Sequence, residues 1–220
     1  MFGITDMLNR LRHNRGYGVQ SPAAFFFVTH ILRTKMPYYI YPTIDKIADK
    51  MDNFSSAHYR RLFRITNYLR PRNIIMFDTD DRAAQCAIAS GKRVVPCHII
   101  GKQEHNIPVA DKLLKERNAI LNDKCSIDEL KSILDKEQIA GLIYLGKCNR
   151  LNEVLEILLP HINNQSAIIV EGIHRNKNMS NEWEKAQKNE RCIVTYDLYS
   201  MGILLFDSEY KKQHFSLNYR

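Results

Sequence analysis

Residues 73–91, NIIMFDTDDRAAQCAIASG, decide how the chain folds, because they read in succession as a buried strand, an acidic turn and a small-residue helix. Asn73-Ile74-Ile75-Met76-Phe77 is a short apolar run of the kind a central parallel strand needs when both of its faces are covered. Asp78-Thr79-Asp80-Asp81 supplies a turn and a helix N-cap, and Ala83, Ala84, Cys86, Ala87, Ile88 and Ala89 continue as a compact helix. Together they form the first βα unit of a nucleotide-type α/β domain. Such a unit places the anionic or polar part of a ligand over a glycine turn at the helix N-terminus, where free backbone N–H groups and the positive dipole end meet it. Here the turn has no glycine, and three carboxylates stand in it.

Downstream, strands alternate with helices, the signature of a parallel α/β sheet. A second strand lies within Arg93 to Ile100, where Pro96 argues for an edge, a bulge or a late start. Pro108 to Leu121 reads as a helix, and Ser126-Ile127-Asp128-Glu129 is a capping box opening another that ends near Lys136. Between these helices, Asn122 to Cys125 leaves little room for a third strand. Ile139 to Leu145 is the next buried strand, followed by a helix over Leu151 to Leu159. Ser166 to Glu171 is another strand, and a helix around Met179 to Lys188 carries Trp183, the only tryptophan. Cys192 to Leu198 and Ile203 to Phe206 read as an antiparallel pair around a turn at Ser200-Met201-Gly202, with an extended tail over His214 to Tyr219.

Upstream the pattern is helical. Met1 to Arg12 forms an amphipathic turn or helix, and Arg15 to Pro22 is a glycine-containing loop ending in Ser21-Pro22, a strong helix start. That helix runs to about Thr34. Met36 to Pro42 is an aromatic connector, and helices follow over Thr43 to Asp52 and Ser56 to Leu69, the latter ended before Pro71. The expected organisation is a helical extension over 1–70 and one compact α/β unit over 71–220.

A chain of 220 residues holds one sizeable core. Hydrophobic content of 45% and charged content of 25% are ordinary for a globular protein, and no apolar run approaches the ~18 residues a membrane span requires. The opening residues lack a signal-peptide pattern, so a cytoplasmic location is expected. The five cysteines include no CxxC pair, which favours buried reduced thiols over disulfides or zinc. A net charge of +8 makes acidic partners plausible without identifying one. Only Tyr59 to Arg72 concentrates arginine (Arg60, Arg61, Arg64, Arg70, Arg72) among aromatic residues. It reads either as a nucleic-acid surface or as an amphipathic helix with solvated arginines, and the second is the simpler account.

Helices first, then alternating strands and helices, then an antiparallel hairpin is the layout of class I S-adenosylmethionine-dependent methyltransferases. The segments Arg15 to Pro22, Glu171-Gly172-Ile173-His174 before the Trp183 helix, and Val194 to Gly202 before Gln213-His214-Phe215 resemble a bacterial branch of that family, related in layout to small-molecule O-methyltransferases. The resemblance implies a Rossmann-like fold, a seven-stranded, mostly parallel sheet with a C-terminal antiparallel hairpin, and a cofactor at the carboxyl ends of the first strands.

Position by position, the resemblance also implies what this chain lacks. Met76 stands where the family has an acid, and Asp78 and Arg82 stand where it has glycines. Residues with a Cβ lose easy access to positive φ and block close approach. Where an acid holds the ribose hydroxyls, Cys97 to Lys102 offers only His98 as a polar candidate ahead of Lys102, and Gly146 replaces the acid after the fourth strand. The candidate cofactor positions are therefore Asp78, Thr79, Asp80, Arg82, His98 and Gly146. Glu171 or His174 is the candidate base, and Asp197 is expected to line the same cleft; for each of the three a capping or hairpin-stabilising role is the simpler account.

Two or three lost charge-assisted hydrogen bonds, at roughly 1.5 to 3 kcal/mol each, turn a micromolar site into a millimolar or absent one. The first reading is a methyltransferase-like protein with a degenerate cofactor site that acts in binding, with a protein partner or a homodimer in view. The second is an active methyltransferase on an unknown small-molecule acceptor, with Arg82 engaging the cofactor carboxylate. From another class comes nucleic-acid binding through 59–72. A hard cation on Asp78, Asp80 and Asp81 is a minor idea, because that spacing lacks the glycine and distal glutamate of a calcium loop, and no metal is assigned.

Overall fold

The computed structural model describes residues 21–51, 53–92, 95–102 and 105–219. The expected helix over Met1 to Arg12 and most of the Arg15 to Pro22 loop lie outside them. Helix α1 (Pro22–Phe26) starts as expected, with Ser21 as N-cap accepting from Ala24 N at 3.4 Å and Pro22 in the first turn, and continues as a π-helical segment, Phe27–Leu32. Helices α2 (Tyr41–Ala48) and α3 (Ser56–Leu69) follow. Arg70, in the left-handed region at φ 47°, ends α3 immediately before Pro71.

The α/β part runs β1 (Ile74–Phe77), α4 (Arg82–Gly91), β2 (Cys97–Ile100), α5 (Pro108–Glu116), β3 (Ala119–Asn122), α6 (Ile127–Glu137), β4 (Leu142–Leu145), α7 (Leu151–Leu158), β5 (Ala167–Glu171), α8 (Lys177–Lys188), β6 (Val194–Tyr199), β7 (Met201–Leu205) and β8 (Gln213–Tyr219). The sheet order is β3-β2-β1-β4-β5-β7-β6-β8. Strands β1 to β5 are parallel; β7 is antiparallel to both β5 and β6, and β8 is parallel to β6.

The sheet has eight strands, one more than expected, because the tail pairs with β6 along the outer edge. A third strand exists where a helix was expected to run to Leu121. Helix α5 stops at Glu116, and Asn118, a residue that tolerates the left-handed region, turns the chain at φ 53° so that Ala119 to Asn122 pair with β2. This edge strand leaves Ile120 and Leu121 exposed, so it carries none of the burial pattern that marked the others. The hairpin turn is also tighter than expected: Met201 and Gly202 already belong to β7, and Tyr199 takes φ 73° to reverse the chain at Ser200.

Side chains alternate between two covered faces. Ile74, Met76, Ile99, Leu142, Tyr144, Ile169 and Tyr196 pack towards α1 to α5, whereas Ile75, Phe77, Ile143, Leu145, Ile168 and Leu204 pack towards α6 to α8. Gly202 is required on the second face, because a Cβ there would stand 2.4 Å from the buried ring of Trp183.

The arginine-rich helix corrects the expectation of solvated guanidinium groups. Arg61 and Arg64 are buried. Arg64 donates to the carbonyls of Ile31 at 2.7 Å and Leu32 at 2.8 Å, closing the end of the π-helical segment, and Arg60 pairs with Asp45. These arginines satisfy carbonyls and a carboxylate within the N-terminal helices, a use of the planar fork that a charge count does not reveal. No helix among the described residues is long and apolar enough to cross a membrane.

Candidate functional site

Strand β1 pairs with β2 on one side and β4 on the other, so its carboxyl end opens at the point where the strand order reverses. The turn that follows lies down across both neighbours. Asp78, at φ 55°, donates its N–H to Ile100 O at 2.9 Å and accepts from Lys147 N at 2.7 Å. Gly101 and Gly146 make room for it. A Cβ on Gly101 would stand 2.4 Å from Thr79 O, and a Cβ on Gly146 would stand 2.4 Å from Asp78 O. Gln85 Nε2 closes the turn from behind by donating to Thr79 O at 3.0 Å.

Each carboxylate of the turn is engaged separately. Asp81 is the N-cap of α4 and accepts from Ala83 N and Ala84 N, both at 3.0 Å. Its other oxygen accepts from Tyr59 OH at 2.8 Å and Asn53 Nδ2 at 3.2 Å. Asp80 pairs with Lys147, and Asp78 accepts from the Cys125 thiol at 3.6 Å. Arg82 is fully buried, bonded to Gln85 Oε1 at 3.0 Å and paired with Asp111 of α5. Among the described residues no group of three or more His, Cys, Asp or Glu side chains is placed to hold a metal ion.

Beside the turn a cavity of about 500 Å³ opens between the carboxyl ends of β1, β4 and β5, the Tyr199-Ser200 corner and the Asn53-Phe54 loop before α3. Its floor is a buried polar cluster. Ala167, Ile169 and Glu171 alternate onto the face covered by α3, which brings Glu171 against His58. His58 Nε2 lies 3.0 Å from Glu171 Oε2, and Tyr144 OH donates to the same oxygen at 3.0 Å. Glu171 Oε1, also buried, has no hydrogen-bond partner. The ring of Phe54 stacks on His58 with centroids 4.2 Å apart. Burial, then the charges of Glu171 and Asp81, push the Tyr144 phenol well above its ordinary pKa, so it stays protonated and donates.

His174 lines the cavity through the helical turn after β5 and is held at both ring nitrogens. Nε2 lies 2.7 Å from Asp197 Oδ2 and Nδ1 lies 3.1 Å from Ser180 Oγ. Asp197 is buried on β6, and its other oxygen accepts from Tyr199 N at 2.9 Å.

The structure thus brings Thr79, Asp80, Gly146, Glu171 and His174 to one cavity. Asp78 and Asp197 stand one contact behind it. Arg82 faces α5 instead, and His98 lies elsewhere, 3.0 Å from Glu137 Oε1 in a cluster with Asn73. Sequence reading missed His58, Tyr144, Tyr59, Phe54 and Tyr199. For Tyr144 there was a signal, a tyrosine on a strand that otherwise reads as aliphatic; for His58 there was none, because it meets Glu171 across 113 residues.

No protein-family model matches the sequence, and no curated protein matches it. Solved structures do match in shape. An O-methyltransferase from Bacillus cereus, solved in complex with S-adenosylhomocysteine, is 12% identical over 80% of this chain and 95% of its own, with a TM-score of 0.58. The O-methyltransferase TomG from Streptomyces achromogenes, which is involved in tomaymycin synthesis and was solved with S-adenosylmethionine, is 10% identical over 84% of this chain and 95% of its own, at 0.56. A methyltransferase from Geobacter sulfurreducens is 12% identical over 80% of this chain and 92% of its own, at 0.59. The chain therefore has the Rossmann-like fold of class I methyltransferases.

Proposed function

We propose that this chain uses the class I methyltransferase fold for binding and has given up methyl transfer from S-adenosylmethionine. One observation carries the reading: the backbone donors that would meet the cofactor at the end of β1 are taken by the protein itself, and the turn's backbone fills the crevice beside the cavity. The N–H groups of Ala83 and Ala84, at the positive end of α4, are bonded to Asp81, so a carboxylate already sits where a ligand's anionic group would be met. The backbone of Asp78 and Thr79 fills the crevice so tightly that its two neighbours must be glycine. Arg82, the one cation of the turn, is committed to Asp111.

The residues present do not fit S-adenosylmethionine, and no chemical step is routed through it. Asp78, Thr79, Asp80 and Gly146 form the closed turn and its seat; His98 belongs to a structural cluster. His174 and Asp197 fix the wall of the cavity, since both ring nitrogens of His174 are engaged. Glu171 holds His58 and Tyr144 through one oxygen, and its other oxygen is buried without a donor.

Calorimetry and thermal shift with S-adenosylmethionine and S-adenosylhomocysteine test the reading. The expected outcome is no heat and no shift at about 1 mM of either. Binding of either compound at micromolar affinity would sink it.

A further inference from the structure

A second cavity of about 500 Å³ opens at the amino ends of β4, β5 and β6, opposite the turn after β1. Residues 68–72 at the end of α3 form one wall, residues 163–166 before β5 another, and Asp207 and Tyr210 after β7 a third. Tyr196 of β6 lines it while only 2% exposed, its ring stacked on Phe215 at 5.3 Å between centroids and tilted against Phe27 at 4.8 Å. Among the described residues nothing bonds to its hydroxyl. Buried polar groups are hydrogen-bonded with few exceptions, and this one, unlike Glu171 Oε1, is not sealed from the cavity, so a partner that enters can reach it.

The groups around that hydroxyl are mostly donors. Burial first, then the phenols of Tyr68 and Tyr210 on the same cavity, raise the Tyr196 pKa well above its ordinary value, and burial, then Tyr210, raise that of Tyr68. Both therefore stay protonated at neutral pH. Arg70, held at φ 47° as the cap of α3, makes no ion pair or side-chain hydrogen bond among the described residues, and Arg72 reaches only Glu137 O at 3.5 Å. Against these two guanidinium groups the lining holds one carboxylate, Asp207, whose Oδ1 accepts from Glu209 N at 3.0 Å. Donors and positive charge are in excess, so the missing partner is an acceptor that carries negative charge. One uncompensated guanidinium matches a monoanion, and its planar fork matches a carboxylate. The volume lies within the range of small-molecule sites.

We infer that this second cavity binds a small amphipathic carboxylate, which accepts from Arg70 and from the Tyr196 hydroxyl while its apolar body lies against the half-exposed rings of Tyr68 and Tyr210. Nothing in it depends on S-adenosylmethionine being excluded from the turn after β1, which lies at the opposite end of the strands.

The test is calorimetry of the full chain with phenylacetate, an anion at neutral pH, and with 2-phenylethanol, its uncharged counterpart. The acid is expected to bind with a Kd of about 1 mM or below, and the alcohol about tenfold more weakly. Arg70→Asn, an exchange for a residue that tolerates the left-handed backbone, should weaken the acid about tenfold and leave the alcohol unchanged. Tyr196→Phe keeps the ring and should weaken the acid about fivefold, with the urea midpoint unchanged because the hydroxyl has no partner in the free protein to lose. Equal affinity for acid and alcohol, no binding of the acid up to about 10 mM, or acid binding that neither substitution weakens overturns the inference. A lowered urea midpoint for Tyr196→Phe also overturns it, since the hydroxyl would then already be satisfied.

Discussion

Asp81 and Glu171 are carboxylates on the same cavity, each 7% exposed, yet one is saturated and the other is not. Asp81 accepts from four donors and holds a helix N-terminus, a loop and a tyrosine together. Glu171 is satisfied at one oxygen only. Burial alone does not separate a saturated carboxylate from an unsaturated one; the inventory of partners does.

Stability measurements should separate the two sharply. Asp81→Ala removes the α4 cap and leaves the Tyr59 hydroxyl without its acceptor, so it is expected to cost about 3 kcal/mol, whereas Glu171→Gln should cost about 1 kcal/mol. Urea denaturation decides it, and equal losses would abolish the distinction. Next in size is Gly146→Ala. The new Cβ would meet the backbone of the turn, which has no flexible end to move aside, and a loss of about 2 kcal/mol is expected. A neutral result in the same measurement would mean that the turn lifts away, and with it the reason for excluding the cofactor.

The smallest effect sharpens the comparison with a third carboxylate, one that does not line the cavity. Glu182 of α8 accepts from Asn152 N at 3.0 Å and Asn152 Nδ2 at 2.8 Å, serving the N-terminus of α7, whose own N-cap residue Arg150 provides no side-chain bond. The backbone bond, then the side-chain bond, hold its pKa below the usual 4.5. With the folded value depressed, the folded state binds fewer protons, so its contribution is present above about 4.5 and is lost as pH falls through the lower folded value. Glu182→Gln should cost about 0.5 kcal/mol at neutral pH, a difference that vanishes over that acidic window in denaturation curves.

The fold was legible because strands and helices announce themselves by period, and β1, β4 and β5 are buried on both faces. Strand β3 was not, since an edge strand with exposed Ile120 and Leu121 has no apolar pattern to read, and only Asn118 hinted at the helix end. Of the site, the strand ends were legible: the turn after Phe77, Gly146 and Glu171 all sit where a parallel sheet presents its ligands. The partners were not. His58, Tyr59 and Phe54 come from the helical part and reach the cavity through packing, which leaves no local trace in sequence. The buried Arg61 and Arg64 were hidden for a related reason, because charge suggests solvent unless the carbonyls that receive it are known.

The bond between His58 and Glu171 also sets an order of events in folding. It closes a loop of 113 residues, and Ser200, which approaches His58 Nδ1 at 3.4 Å, comes later still in the chain. Contacts between α3 and α4 are close in sequence and carry little loop-closure penalty, whereas the cavity floor needs β4, β5 and the β6–β7 corner in place first. A ribosome must therefore release the chain past Ser200 before the pocket can exist, and an intact pocket reports a completed sheet.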